Sequence, residues 1–129
     1  MAAPDAPLLL TGFGPFEGVS ENPSGRAASA LGGDPGVHSV VLPVSFRGAP
    51  RAFDAALAVL APAVPVALIG LGVHRGPELR LERRACRPLR SQQLDLEGMR
   101  ADEVDLAGPD ELCTAVDLDA LAAELLAAG

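Results

Sequence analysis

Residues 8–24, LLLTGFGPFEGVSENPS, decide how this chain is read. Leu8-Leu9-Leu10 is a short apolar run bounded by turn residues, the pattern of a buried strand. Gly12, Gly14 and Gly18 then alternate with Phe13, Pro15 and Phe16, so a loop leaves the strand carrying two aromatic rings. Asn22-Pro23-Ser24 follows, an N-cap residue and a first-turn proline for a helix. A strand feeding a glycine-rich loop and then a helix is where open α/β sheets place their ligand sites.

The glycines spell G-x-G-x-x-x-G, one residue too long for the dinucleotide fingerprint, and no G-K-[ST] follows them. A phosphate cradle is therefore disfavoured. Two of the four phenylalanines sit here, in a chain without Trp or Tyr. Either the rings plug the core, or Phe13 and Phe16 rim a pocket for a flat, uncharged ring.

The stretch resembles the pyroglutamyl peptidase I family, cysteine peptidases that remove an N-terminal pyroglutamate. Thr11-Gly12-Phe13, Pro15-Phe16, Gly18 and Asn22-Pro23-Ser24 fall where that family carries T-G-F-x-P-F-x-G…N-P-S, with the spacing kept. The resemblance implies that Phe13 and Phe16 line a pyroglutamyl pocket.

Elsewhere the chain reads as alternating strand and helix. A short helix is expected over Pro23–Leu31, ended by Gly32-Gly33, and a second strand over residues 38–44. His38, alone at that strand's start, reads as a surface residue. A helix beginning at Pro50 carries Phe53, Ala56, Leu57 and Leu60 on one face and stops at Pro62 and Pro65. Residues 64–73, VPVALIGLGV, are the most hydrophobic run and read as a central parallel strand covered on both faces. Residues 88–111 lack periodicity and suggest a hairpin or a long excursion. A last helix is expected over residues 116–128, with Leu118, Leu121, Ala122 and Leu125 on its apolar face.

The β-α-β-α-β order argues an α/β fold with a mostly parallel sheet between helices. Leu42-Pro43-Val44-Ser45-Phe46, Ile69-Gly70-Leu71-Gly72, Leu81-Glu82-Arg83, Gly108-Pro109 and the Asp117–Leu121 helix start also match family motifs. The resemblance thus spans nearly the whole chain. It implies a three-layer α/β/α sandwich whose C-terminal part is missing, with residues 1–129 as one incomplete domain.

The family hydrolyses its amide with a Cys, a His and a Glu. The thiolate attacks, the imidazole shuttles the proton and the carboxylate orients the imidazole. By resemblance Glu82 is that carboxylate, and Gly72 and Val73 join Phe13 and Phe16 as substrate-binding positions. Read without the family, Glu82 is a solvated glutamate beside Arg80, Arg83 and Arg84. The family's nucleophile and base lie beyond the last helix, whereas this chain ends at Gly129. Neither Cys86 nor Cys113 has a histidine nearby in sequence, so both read as ordinary thiols. Departures from the family include Val73 where bacterial members often carry a glutamine, and Arg84 where an apolar residue is usual. Arg87 stands in place of an Asn, and Ser91–Asp95 in place of A-R-I-P-D.

Composition bounds the rest. A hydrophobic fraction of 49% with 21% charged residues is that of a globular domain. A net charge of −7 argues against a nucleic-acid or anionic-membrane surface. Two cysteines make no disulfide framework. No leader and no apolar span of about 20 residues is evident, so a cytoplasmic protein is expected. No metal or cofactor is implied. The expected partner is a peptide with an N-terminal pyroglutamate, and a homo-oligomer is possible. Three readings follow: part of a pyroglutamyl peptidase without its nucleophile, a non-catalytic binding relative, or an unrelated acidic α/β domain.

Overall fold

β1 (Leu8–Phe13) is the middle strand of a three-stranded parallel sheet ordered β2-β1-β3, where β2 is Val37–Leu42 and β3 is Ala67–Gly70. The computed structural model describes residues 5–87, 91–105 and 107–129. Leu8 stands opposite Val37 and Phe13 opposite Leu42 on one side of β1; Leu8 stands opposite Ala67 and Thr11 opposite Gly70 on the other. Paired on both edges, β1 buries Leu9 completely and Leu10 and Thr11 almost so.

Helices α1 (Pro23–Leu31) and α2 (Gly48–Leu60) make the crossovers. The chain steps from β1 to one neighbour and then back across β1 to the other. With right-handed crossovers, that reversal puts the two helices on opposite faces. α1 packs on β1 and β2, and α2 packs on β2. The result is the expected parallel sheet flanked by helices.

α1 starts and stops where its sequence signals stand: Asn22 caps it, Pro23 opens it and Gly32 follows it. α2 begins two residues before Pro50. The Ser45 hydroxyl accepts from Gly48 N at 2.7 Å and the Ser45 carbonyl from Ala49 N at 3.0 Å, which starts the first turn early. Pro50 falls inside that turn, where a missing N–H costs nothing. β2 ends at Leu42, short of residue 44, because Pro43 has no N–H to extend the ladder. His38 lies within β2 and is half-buried, not a surface residue.

The hydrophobic run at residues 64–73 departs most from expectation. Only Ala67–Gly70 is strand; it lies at the sheet's edge, and all four residues are exposed. Its ladder is one-sided: β1 is the only element in contact with it among the described residues. The central place goes to β1, whose shorter apolar run is paired on both sides.

β4 (Arg84–Cys86) and β5 (Glu111–Cys113) form a separate antiparallel pair, Arg84 opposite Cys113 and Cys86 opposite Glu111. The unperiodic stretch of residues 88–111 is thus mostly the long connection of this pair; residues 88–90 and 106 lie outside the described ones. α3 (Leu118–Ala128) starts later than residue 116, because the Asp117 carboxylate accepts from Ala120 N at 3.0 Å and fixes the cap there. Leu118 is buried, Leu121 and Ala122 are half-buried, and Leu125 is exposed. Among the described residues no helix is long and apolar enough to cross a membrane.

Candidate functional site

Strand order reverses between β1 and β3. In open parallel sheets the crevice at such a reversal, beyond the carboxyl ends of the strands, is the usual ligand position. Two loops part there, one after Phe13 and one after Gly70. Leu71 N donates to the Thr11 carbonyl at 2.8 Å, so the loops leave side by side. The fold thereby brings Phe13, the end of β1, and Phe16, on the loop after it, to the same sheet end as Gly72 and Val73 on the other loop. Both phenylalanines are half-buried, and Gly72 and Val73 are exposed.

Phe13 proves to be the last residue of β1 and not a loop residue. Phe16 starts a tight turn: its N–H donates to the Val19 carbonyl at 3.0 Å, and Val19 N donates back at 2.8 Å. Gly18 holds φ 80° at the turn's third position, as a type II turn requires.

A buried polar clamp holds this loop against α1. The Asn22 side-chain oxygen accepts from Ser24 N at 3.1 Å and from the Ser24 hydroxyl at 2.7 Å, while its amide donates to the Gly14 carbonyl at 3.0 Å. The Ser24 hydroxyl in turn accepts from Phe13 N at 3.0 Å. Asn22-Pro23-Ser24 is therefore more than a helix start: it ties the aromatic strand end to the helix. Asn22→Ala is expected to lower unfolding free energy by about 2–3 kcal/mol, through the lost cap and the buried partners left unmade. Urea unfolding measures this, and a loss under about 0.5 kcal/mol would mean that solvent replaces the clamp.

Glu82 stands two residues ahead of β4, not on a strand, and is exposed. Its neighbour Arg83 anchors the segment: the Arg83 carbonyl accepts from Thr114 N at 2.9 Å, and its guanidinium meets Asp119 at 2.7 Å. Among the described residues no hydrogen bond links Glu82 to either switch-point loop. Cys86 and Cys113 are exposed on the antiparallel pair, with Cys86 Sγ 4.0 Å from a Glu111 carboxylate oxygen. The ring nitrogens of His74 lie 3.1 Å from the Arg75 carbonyl and 2.6 Å from the Glu78 carbonyl, so this imidazole braces its own turn.

One organising residue was not visible in the sequence pattern. Asp95 accepts from Phe46 N at 2.8 Å through one carboxylate oxygen, and from Glu97 N and Met99 N at 2.9 Å each through the other. The Ser45 hydroxyl donates to the Glu97 carboxylate at 2.7 Å, and Leu96 N donates to the Val44 carbonyl at 3.0 Å. The turn at residues 95–99 is thus latched onto the loop after β2. An Asp three residues before Gly98, which holds φ 75°, was the available turn signal. Burial pulls the Asp95 carboxyl upward, but the backbone N–H groups of Phe46, Met99 and Glu97, with Arg47 nearby, outweigh it and hold the carboxyl below its ordinary range.

Because the folded carboxyl is the stronger acid, its stabilising contribution is complete above the ordinary aspartate value near 3.9. It is lost as pH falls below that value and through the folded one. Asp95→Asn should therefore be less stable than the parent at pH 7, with the gap closing as both are taken toward pH 2–3. Thermal melts across that range test this; a gap independent of pH would show that the carboxylate charge plays no part.

An open cleft of about 470 Å³ lies between Phe46, Arg47, Pro50 and Arg51 on one side and Glu103, Val104 and Asp105 on the other. None of Phe13, Phe16, Gly72 or Val73 lines it, so it is separate from the switch-point loops.

Comparison with known proteins places this geometry. The family model described as pyroglutamyl peptidase matches residues 6–129. A pyrrolidone-carboxylate peptidase of Deinococcus radiodurans is 43% identical over 81 residues, which cover 59% of this chain and 36% of the relative. The crystal structure of pyrrolidone carboxyl peptidase from Fervidobacterium islandicum superposes with a TM-score of 0.81 at 30% identity, covering 95% of this chain and 61% of that one. Pyroglutamyl peptidase I from Bacillus amyloliquefaciens gives a TM-score of 0.84 at 25% identity, over 100% of this chain and 62% of that one. The chain therefore spans about three fifths of the length of these solved relatives. With a family model matching almost from end to end and a parallel sheet superposing on these structures, the chain belongs to the pyroglutamyl peptidase family.

Proposed function

We propose that this chain supplies the ring-binding part of a cysteine peptidase site that hydrolyses N-terminal pyroglutamate from peptides. The observation that carries the proposal is the convergence of Phe13 at the end of β1, Phe16 on the loop after it and the Gly72–Val73 loop at the β1/β3 switch point. Two half-buried aromatic rings beside a small residue suit a flat, uncharged lactam, which gains from ring contact and loses little hydration. Residues 1–129 act as one pyroglutamyl-peptidase-like domain. Glu82 is the carboxylate that would orient an imidazole, and the thiolate and imidazole come from outside Cys86, Cys113, His38 and His74. The peptide is the only partner the chemistry needs, with no metal or cofactor in the reaction.

One observation favours a second reading, a binding relative that performs no hydrolysis: both thiols stand on the antiparallel pair, one beside a carboxylate and neither beside an imidazole among the described residues. Both readings require the ring site.

The test is a titration with L-pyroglutamamide followed by amide NMR. The Gly12–Gly18 resonances should shift, and Phe16→Ala should weaken the response at least tenfold, since one lost aromatic contact is worth about 1.5–3 kcal/mol. If Phe16→Ala instead unfolds the domain and the parent shows no ligand response, the rings only plug the core.

A further inference from the structure

The cleft between the start of α2 and residues 103–105 lies apart from the ring site and carries both signs of charge. Phe46 and Val104 are half-buried in its lining, while Arg47, Arg51, Glu103 and Asp105 are exposed there. Elsewhere Arg26, Arg80, Arg83, Arg84 and Arg87 each meet a carboxylate at 2.7–3.4 Å. Arg47 and Arg51 make no such ion pair among the described residues, although Glu103 and Asp105 line the same cleft. This placement works against the helix. Arg47 caps α2 and Arg51 follows four residues on, a spacing at which like charges repel. Both stand at the positive end of the helix dipole, and the first turn holds no acidic residue. The Asp95 carboxyl draws on the Arg47 charge from outside the cleft; Arg51 has no carboxylate partner among the described residues. Local conflicts of this kind concentrate at functional sites.

We propose that this cleft binds a short zwitterionic peptide, its carboxylate on Arg47 and Arg51 and its α-ammonium on Glu103 and Asp105. An anion alone would gain from the guanidinium pair but be repelled by the carboxylates that share the cleft. A cation alone would meet the reverse. A ligand with both charges offsets both sides, and the planar guanidinium forks suit a carboxylate. Phe46 and Val104 supply apolar contact for the peptide between its charged ends, and about 470 Å³ is within the usual range for small-molecule sites. Such a ligand differs from a pyroglutamyl peptide, whose lactam nitrogen carries no charge. It has the chemistry of the peptide left after pyroglutamate is removed, which ends in a free ammonium. The inference does not depend on the ring-binding reading, because its test contains no lactam.

The experiment titrates the 129-residue chain with L-alanyl-L-alanine at low salt, followed by amide NMR. Saturable shifts are expected at Phe46, Arg51 and Val104, with Gly12–Gly18 unchanged. N-acetyl-L-alanine lacks the ammonium, L-alaninamide lacks the carboxylate, and L-alanine holds its two charges too close together. Each should bind at least about tenfold more weakly than the dipeptide, since each loses charge-assisted hydrogen bonds on one side. Arg51→Gln and Asp105→Asn should each weaken the dipeptide by a similar factor. Both side chains are exposed, so the circular dichroism of the variants should match the parent's. The ligand series is read on the unmodified chain, so its result stands even if a variant folds poorly. Absence of saturable shifts, an analogue that binds as tightly as the dipeptide, or folded variants that bind it like the parent would each overturn the proposal.

Discussion

The purified 129-residue polypeptide, alone, is expected to release no amine from a fluorogenic pyroglutamyl amide above the blank. Cysteine hydrolysis needs a thiolate and an imidazole within about 2.6–3.2 Å of each other. The chain has two cysteines and two histidines. Both cysteines lie on the antiparallel β4–β5 pair, His38 lies on β2 of the separate parallel sheet, and His74 is engaged by two carbonyl oxygens. Among the described residues no hydrogen bond pairs a cysteine with a histidine. Loss of a nucleophile or base lowers turnover about 10⁶-fold in well-characterised hydrolases, which takes the rate below detection. Cys86→Ser and Cys113→Ser should leave the blank-level signal unchanged. Thiol-sensitive turnover by the isolated chain, abolished by either substitution, would overturn this and identify the nucleophile.

Gly12→Ala should be among the most destabilising single substitutions, although it adds one methyl group. A Cβ at Gly12 would run into the Ser24 carbonyl and the Gly25 nitrogen, which are backbone atoms of α1. Gly25 faces the reciprocal constraint, since its Cβ would meet the Phe13 carbonyl. Strand and helix therefore touch through two glycines, and neither can recede without breaking the Asn22–Ser24 clamp. Overpacking of this kind costs about 1–3 kcal/mol or more, a large share of a domain stability of ~5–15 kcal/mol. A drop in Tm of roughly 5–15 °C is expected for a domain of this size. Gly33→Ala is the control, because its Cβ would meet nothing within 4 Å. Equal Tm values for the two variants would show that α1 can move off β1 freely.

What could be read before the fold was known follows from where local signals are strong. The Asn22-Pro23 start and Gly32 stop of α1 were legible because capping chemistry is confined to a few adjacent residues. The alternation of strand and helix, and hence a parallel sheet between helices, was legible for the same reason. So was the loop that carries Phe16, although Gly12 does not interrupt the strand and Phe13 belongs to β1. The start of α2 was misread because Ser45, three residues upstream, supplies the acceptor that begins it.

Other features depend on partners far away in the chain. Hydrophobicity alone assigned residues 64–73 to the middle of the sheet, yet centrality is a matter of how many neighbours a strand has, and among the described residues β1 has two where β3 has one. The Asp95 latch joins residues about fifty positions apart, a distance no local pattern reports. The place of Glu82, ahead of β4 and bonded to neither switch-point loop, was likewise outside any motif. The sequence by itself determined the helix caps, the strand–helix alternation and the aromatic loop, because these rest on contacts within a few residues. Only the tertiary structure decided which strand is buried, which loops share the switch point and where the 95–99 turn docks, because burial and hydrogen bonding between distant segments exist only once the chain has folded.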